Sequence, residues 1–326
     1  MSPARILLTG AAGFVGRHLH ATLREAFPEA EIVGTGFGDT APGLLPLDVT
    51  DAARVAALVG GFKPDACIHL AAIAAVPAAG GDPDQAWQVN VLGTLRLARA
   101  LLAHAPECRF VFASSAEVYG RSFRSGDALD ETALLAPANT YAATKAAADL
   151  ALGALAGEGL QAVRLRPFNH TGAGQSASFV VAAFARQVAR IEAGLQAPVL
   201  RVGALEPRRD FLDVRDVCEA YAACLRAPAL EAGAVLNIAS GTSQRIGDVL
   251  DGLCRLAGVE ATVETGAALL RPSEIPTASG NAAVARSLLG WRPRTPWEAT
   301  LRTVLDDWRQ RVRDEPPASP ALRSCS

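Results

Sequence analysis

The stretch RILLTGAAGFVGRHL, residues 5–19, restricts the fold more than any other part of the chain. An apolar run of strand formers stops at Gly10, and Gly13 and Gly16 follow at three-residue spacing before a helical pattern sets in. Glycines so placed permit a tight turn, close approach of a pyrophosphate, and close strand–helix contact, with the phosphates at a helix N-terminus. Glycines at a turn are often no more than a turn. Here the strand before, the helix after and the position near the start agree, so the loop reads as a dinucleotide site. Its expected contacts are Gly10, Gly13, Phe14, Val15 and Gly16.

Apolar runs at 5–10, 31–37, 44–49, 66–72 and 109–115 alternate with helical patterns around 14–26, 51–59 and 84–103, and a further strand over 161–167 ends at a proline. Such alternation argues for an α/β fold of parallel βαβ units with buried strands. Residues 1–167 are expected to form this cofactor-binding domain. After 167 the loops lengthen and gain Gly and Pro (NHTGAGQSAS, GALEPRRD, ASGTSQ), with helical patterns at 179–193, 214–226, 246–257 and 297–311. Residues 168–312 read mainly as a smaller C-terminal substrate-binding cap, with a return to the main domain around 205–240, where LNIAS is strand-like. The Pro/Ser-rich tail, 313–326, is expected to be disordered.

At 326 residues the chain can bury a large core. Its 31 basic and 33 acidic residues nearly cancel, and no basic block suggests a nucleic-acid surface. An anionic ligand must then be held by a few placed arginines. No apolar run approaches the ~18 residues of a membrane span, and MSPARILLTG lacks signal-peptide features. Cysteines at 67, 108, 218, 224, 254 and 325 include no Cys-x-x-Cys pair. They read as small buried hydrophobes in a reducing, cytoplasmic setting, with neither a disulfide framework nor a metal site. His170 has no partner at metal-ligating spacing.

The second strand of a dinucleotide fold commonly ends in an acid for the ribose 2′-hydroxyl of NAD. Here that place is Thr35-Gly36-Phe37-Gly38, with Asp39 late and no arginine near unless Arg17 bends back, so NAD and NADP both stay open. Asp48, followed by Val49 at the end of the third strand, either touches the adenine edge or belongs to a helix N-cap region beside Thr50. HLAA would pass Leu70, Ala71 and Ala72 under the cofactor, and His69 reads as a packed strand histidine.

Tyr141 and Lys145, in NTYAATKAAAD, share one helix face at i and i+4. An ammonium beside a phenol lowers its pKa, and Lys145 can also hold a nicotinamide ribose. Tyr141 can then exchange a proton with a carbonyl or alcohol while hydride moves. Ser115, at the strand end in SSAEVYG, would share the substrate oxygen.

TGAAGFVG, HLAA, VNVLGT (89–94), SSAEVYG, YAATK, RPFNHTGAGQ, RRDFLDVRDV and RPSEIP together resemble the extended short-chain dehydrogenase/reductase superfamily, in its nucleotide-sugar epimerase/dehydratase branch. The resemblance runs from Arg5 to Trp308. Within it, RPFNHTGAGQSASFVVAAFARQVARIEAG followed by VGALEPRRDFLDVRDV looks like the GDP-4-dehydro-6-deoxy-D-mannose reductases, which make GDP-D-rhamnose, and less closely like the GDP-mannose 4,6-dehydratases. It implies a Rossmann-type doubly wound parallel sheet with a cap, reduced NADP or NAD as cosubstrate, a GDP-sugar substrate, and commonly a homodimer through a four-helix bundle. It assigns catalysis to Ser115, Tyr141 and Lys145. Arg209 and Arg271 would contact the pyrophosphate, Glu274 the ribose, and Asn169 the substrate near the phosphates. Arg186 is a further candidate, although it lies off the apolar stripe 180, 184, 188 and 191, which makes a solvated helix face the alternative.

Family dehydratases draw the C5 base and C6 acid from a strand end with Thr or Ser, then Asp or Ser, then Glu. This chain has Ser115, Ala116 and Glu117, and a methyl group donates nothing. Glu117 therefore reads as a polar residue beside the substrate, with a base acting through water as the alternative. The expected activity is NAD(P)H-dependent reduction of a GDP-linked 4-keto-6-deoxy sugar. The rivals are a GDP-mannose 4,6-dehydratase, a nucleotide-sugar 4-epimerase and a non-catalytic nucleotide-binding relative. The intact Ser-Tyr-Lys set argues against the last.

Overall fold

The computed structural model describes residues 2–38, 41–266 and 275–315. Asp39, Arg271, Glu274 and residues 316–326 of the expected tail lie outside the described residues.

In chain order the strands are β1 (Arg5–Thr9), β2 (Glu31–Gly36), β3 (Leu45–Pro46), β4 (Ala66–His69), β5 (Arg109–Ala113), β6 (Ala128–Leu129), β7 (Ala162–Pro167), β8 (Asn169–Thr171), β9 (Val199–Val202), β10 (Arg208–Asp213), β11 (Ala234–Ile238), β12 (Ser243–Arg245), β13 (Thr262–Thr265) and β14 (Thr277–Gly280). The helices are α1 (Phe14–Ala26), α2 (Ala52–Phe62), α3 (Val76–Gly81), α4 (Pro83–Trp87), α5 (Thr94–His104), α6 (Thr140–Gly157), α7 (Val180–Glu192), α8 (Val214–Arg226), α9 (Ile246–Ala257), α10 (Ala283–Leu289) and α11 (Trp297–Arg313).

Among the described residues, seven strands form one sheet in the order β11-β7-β5-β4-β1-β2-β3, every neighbouring pair parallel. A sheet buried on both faces needs strands that are apolar at successive positions. In β1, Ile6 and Leu8 point into one core and Leu7 into the other, and Ile68 and Cys67 of β4 divide the same way. One core is filled from α1 and α8, the other from α2, α5 and α6. This is the expected doubly wound α/β fold. Strand order reverses between β1 and β4, which opens a crevice over their C-terminal ends.

Two elements depart from the sequence expectation. The strand expected over 44–49 shrinks to Leu45–Pro46 at the sheet edge, where a proline lacking an N–H is tolerated. The helix expected over 84–103 is broken into α4, a π turn at Gln88–Gly93, and α5.

A third core joins α7, α9 and α11 around Phe184, Val188, Leu253 and Leu305. Strand β10 links it to the rest. Its first half, Arg208–Asp210, pairs with β12, and its second half, Phe211–Asp213, pairs with β8. No described helix is long and apolar enough to cross a membrane.

Candidate active site

The glycine loop lies at the crevice. Gly10 has φ +73, and a Cβ there would lie 2.7 Å from the Ala71 nitrogen. A Cβ on Gly16 would lie 2.2 Å from the Gly10 carbonyl oxygen. Only glycine fits either place, because both neighbours are main chain. Gly13 is the N-cap of α1 and no side chain caps that end, which leaves helix N–H groups free for an anion. Beneath the loop, Thr94 Oγ1 donates to the Asn90 carbonyl at 2.7 Å, so it accepts from His69 Nε2 at 3.0 Å. His69 Nδ1 then accepts from Thr9 Oγ1 at 2.6 Å. Burial, then the Lys145 charge, lowers the His69 pKa to about 3, so the ring is a neutral brace. This cradle fits a dinucleotide.

The other expected cofactor contacts surround it. Asp48 Oδ1 accepts from the Thr50 nitrogen at 2.8 Å and its hydroxyl at 2.7 Å, so the turn beside Thr50 occupies that oxygen. The Val49 side chain is buried against Gly93. Leu70, Ala71 and Ala72 follow β4, with the Leu70 nitrogen donating to the Thr9 carbonyl at 3.1 Å. Fully buried Asn90, in the π turn, clamps this segment. It accepts from the Ile73 nitrogen at 2.8 Å and donates to the Ile73 carbonyl at 3.1 Å and Thr144 Oγ1 at 3.0 Å. Arg17 is held by the carbonyls of Ala12 and Gly174, and Phe37 is exposed at the end of β2.

Ser115, Tyr141 and Lys145 come together where β5 ends. Ser115 caps the 3₁₀ helix Ala116–Ser125 by accepting from the Glu117 nitrogen at 3.1 Å, and its hydroxyl lies close enough to act on the Tyr141 phenol. Lys145 Nζ donates to the Ala113 carbonyl at 2.7 Å and lies 4.9 Å from the Phe112 ring centre. Burial lowers the Lys145 pKa to about 7. The Tyr141 phenol is not lowered by Lys145 as the spacing suggests. Burial pushes it up to about 12, against the influence of the nearby Ser115 hydroxyl and with help from the Glu117 charge. The physical reason is desolvation, which penalises the phenolate. A phenol so held is a proton donor.

Glu117 belongs to this cluster. Asn139 caps α6 through Oδ1, 2.9 Å from the Ala142 nitrogen, and its Nδ2 lies 3.5 Å from Glu117 Oε2. Arg209 feels the same carboxylate and donates to the carbonyls of Arg208 at 2.8 Å and Ile275 at 3.2 Å. Asn169 is exposed at the start of β8, paired with Phe211 of β10. Arg186 pairs with Glu315 at 3.5 Å beyond the end of α11 and is 46 % exposed, so it is engaged on the α7–α11 surface. Arg271 and Glu274, expected at the pyrophosphate and ribose, lie outside the described residues. Among the described residues no group of three or more His, Cys, Asp or Glu side chains could hold a metal. Cys67, Cys108, Cys218 and Cys224 are buried free thiols, pushed up in pKa by that burial.

Behind the cluster lies a charged network that sequence reasoning missed. Asp149, fully buried on α6, accepts from Ser114 Oγ at 2.6 Å, Arg164 Nη1 at 3.1 Å, and Arg166 Nε and Nη2 at 3.0 and 2.9 Å. Arg166 also donates to the Tyr119 hydroxyl at 3.0 Å, which donates to Asn237 Oδ1 at 2.7 Å. The available signal was spacing: Asp149 follows Lys145 by four residues and Tyr141 by eight.

Comparison with known proteins agrees with this geometry. The model of the NAD dependent epimerase/dehydratase family matches residues 6–239. The chain is 39% identical over 316 residues to GDP-6-deoxy-D-mannose reductase of Pseudomonas aeruginosa, covering 95% of this chain and 99% of that protein. It is 27% identical to GDP-6-deoxy-D-talose 4-dehydrogenase of Aggregatibacter actinomycetemcomitans, covering 88% and 91%. The solved structure of RMD from Pseudomonas aeruginosa complexed with NADPH superposes with a TM-score of 0.84 at 36% identity, covering 94% of this chain and 99% of that one. A match of this extent, on a sheet whose crevice carries the glycine cradle and the Ser115, Tyr141 and Lys145 cluster, places the chain in the NAD dependent epimerase/dehydratase family.

Proposed function

We propose that this protein reduces the 4-keto group of GDP-4-dehydro-6-deoxy-D-mannose to give GDP-D-rhamnose, with NADPH or NADH as reductant. The observation that carries the reading is the 39% identity, over nearly the whole of both chains, to GDP-6-deoxy-D-mannose reductase. When bound in the glycine cradle, the nicotinamide cofactor would supply the hydride. Ser115 orients the carbonyl oxygen by its hydroxyl. Tyr141, kept protonated by burial, donates its phenolic proton to that oxygen as the bond order falls. Lys145, anchored on the Ala113 carbonyl, supports the tyrosine and the cofactor ribose. Arg209 and Asn169 face the sugar nucleotide from β10 and β8, and Arg209 offers a fork suited to a diphosphate.

Glu117 sits close enough for its charge to act on Tyr141, which is where a dehydratase base would also sit. The residue before it is Ala116, which cannot supply the acid that water loss at C6 requires. We therefore read Glu117 as a residue that helps hold the tyrosine protonated.

The solvent side of α6 supports a homodimer. Ala143, Ala147, Leu150, Ala151 and Ala154 form a stripe at helical spacing with no charge in it, and Leu150 is 59% exposed. Free cysteines and the absence of a membrane-length helix among the described residues fit a cytoplasmic setting.

The test offers the purified protein GDP-mannose alone, and separately the keto sugar with NADPH or NADH. Oxidation of the reduced cofactor with a gain of two hydrogens on the keto sugar is expected. Loss of water from GDP-mannose without that reduction would overturn the reading in favour of a dehydratase. Tyr141→Phe is expected to lower keto-sugar turnover by roughly 10²- to 10⁴-fold, the usual range for a positioned acid.

A further inference from the structure

Asp149 is used by none of the steps above, yet it is fully buried and accepts four hydrogen bonds from three side chains. A buried ion pair is a poor way to gain stability, because desolvating the charges offsets much of their attraction. What this one does is join the pieces that carry the reaction centre. Tyr141, Lys145 and Asp149 lie at i, i+4 and i+8 on one face of α6. From that face the carboxylate grips the end of β5 through Ser114, the residue before Ser115. It grips β7 through Arg164 and Arg166. Arg166 then holds the Tyr119 hydroxyl, and with it the 3₁₀ helix that begins after Ser115 and carries Glu117. Every segment that presents a group to the carbonyl is thus tied to one carboxylate.

We infer that Asp149 is a positioning residue, acting through its hydrogen bond to Ser114 to hold Ser115 at the distance from Tyr141 that proton donation needs. The inference rests on the reductase reading for its kinetic readout. It needs no contact between Asp149 and substrate or cofactor. Ser114 is the sharper probe, since among the described residues its hydroxyl is the single side-chain link between the strand end and the carboxylate, and removing it leaves both arginines paired with Asp149.

The full chain would be assayed with the keto sugar and NADPH as wild type, Ser114→Ala, Ser115→Ala and the double variant, with Asp149→Asn as a second way to weaken the link. Ser114→Ala is expected to lose kcat on the order of tenfold with KM for both substrates unchanged, as a small misplacement of reacting groups does. In the Ser115→Ala background the same change should cost nothing more, because a group that acts through Ser115 has nothing left to act on. Unchanged kcat in Ser114→Ala, or an equal loss in both backgrounds, overturns the inference. A wild type inert toward the keto sugar overturns the reductase reading instead. In that case crystal structures of wild type and Ser114→Ala decide: an unchanged distance between the Ser115 and Tyr141 hydroxyls overturns the positioning role, and a displaced Ser115 supports it.

Discussion

Tyr141 and Lys145 are displaced in opposite directions by one cause. Burial penalises the charged form of each, so the phenol rises to about 12 and the ammonium falls to about 7. Tyr119 and Tyr221, the remaining tyrosines, are raised by burial as well. In the unfolded chain all three lose protons near the ordinary value of about 10. A folded pKa above the unfolded one contributes stability that is complete below the unfolded value and is lost as pH rises through the folded one. Ultraviolet titration of the folded apoprotein should therefore show almost no phenolate at pH values where the denatured chain is already ionised, and alkaline unfolding should set in once the pH passes the ordinary phenol value. Early, reversible phenolate in the native protein would contradict this. Glu117→Gln should keep most keto-sugar reduction and move the alkaline limb of the kcat profile downward, because it removes a charge that raises the Tyr141 pKa. A limb that stays in place would show the carboxylate to be electrically silent.

At the level of elements, the α1 entrance and the β5 exit carry the site. Gly16→Ala would drive a Cβ into the Gly10 carbonyl, 2.2 Å away, where only main chain could yield. Overpacking of this kind costs about 1–3 kcal/mol. The variant should melt lower and bind NADPH more weakly by calorimetry, whereas Gly61→Ala, with open space at the Cβ, should change NADPH binding little. The glycine loop and the parallel strands are legible in the sequence because they are local: a buried strand is a continuous apolar run, and Gly10, Gly13 and Gly16 are punctuation at fixed spacing. Tyr141 and Lys145 are legible for the same reason, as an i and i+4 pair. The 3₁₀ helix Ala116–Ser125, interrupted by the non-helical backbone of Gly120, is not, and neither are strands of two or three residues such as β6, β8 and β12, which are too short to establish a period. Nor are the bonds from Ser114 to Asp149 and from Arg166 to Tyr119, which join residues 35 and 47 positions apart and exist only once the sheet order is set. The direction of the Tyr141 shift follows from depth of burial, which the spacing of two residues does not carry.

For the whole molecule, the apolar α6 stripe leads to a prediction about assembly. Sedimentation velocity should find a dimer, and Leu150→Arg should shift it to monomer while each chain keeps its cofactor site. A wild type that sediments as a monomer at all accessible concentrations would remove the dimer from the reading. The three cores also divide the molecule's sensitivity. Substitutions among Val188, Leu253 and Leu305 fall in the α7–α9–α11 core, and those among Ile6, Leu8 and Val111 fall against the sheet. Strand β10 is shared by both regions, with Arg209 in one half and Phe211 to Asp213 in the other. On the function proposed above, that arrangement would let a lineage exchange the side chains that admit a sugar nucleotide while inheriting its redox apparatus intact. The six residues of β10 are where such drift should be slowest, because a change there must satisfy two neighbourhoods at once.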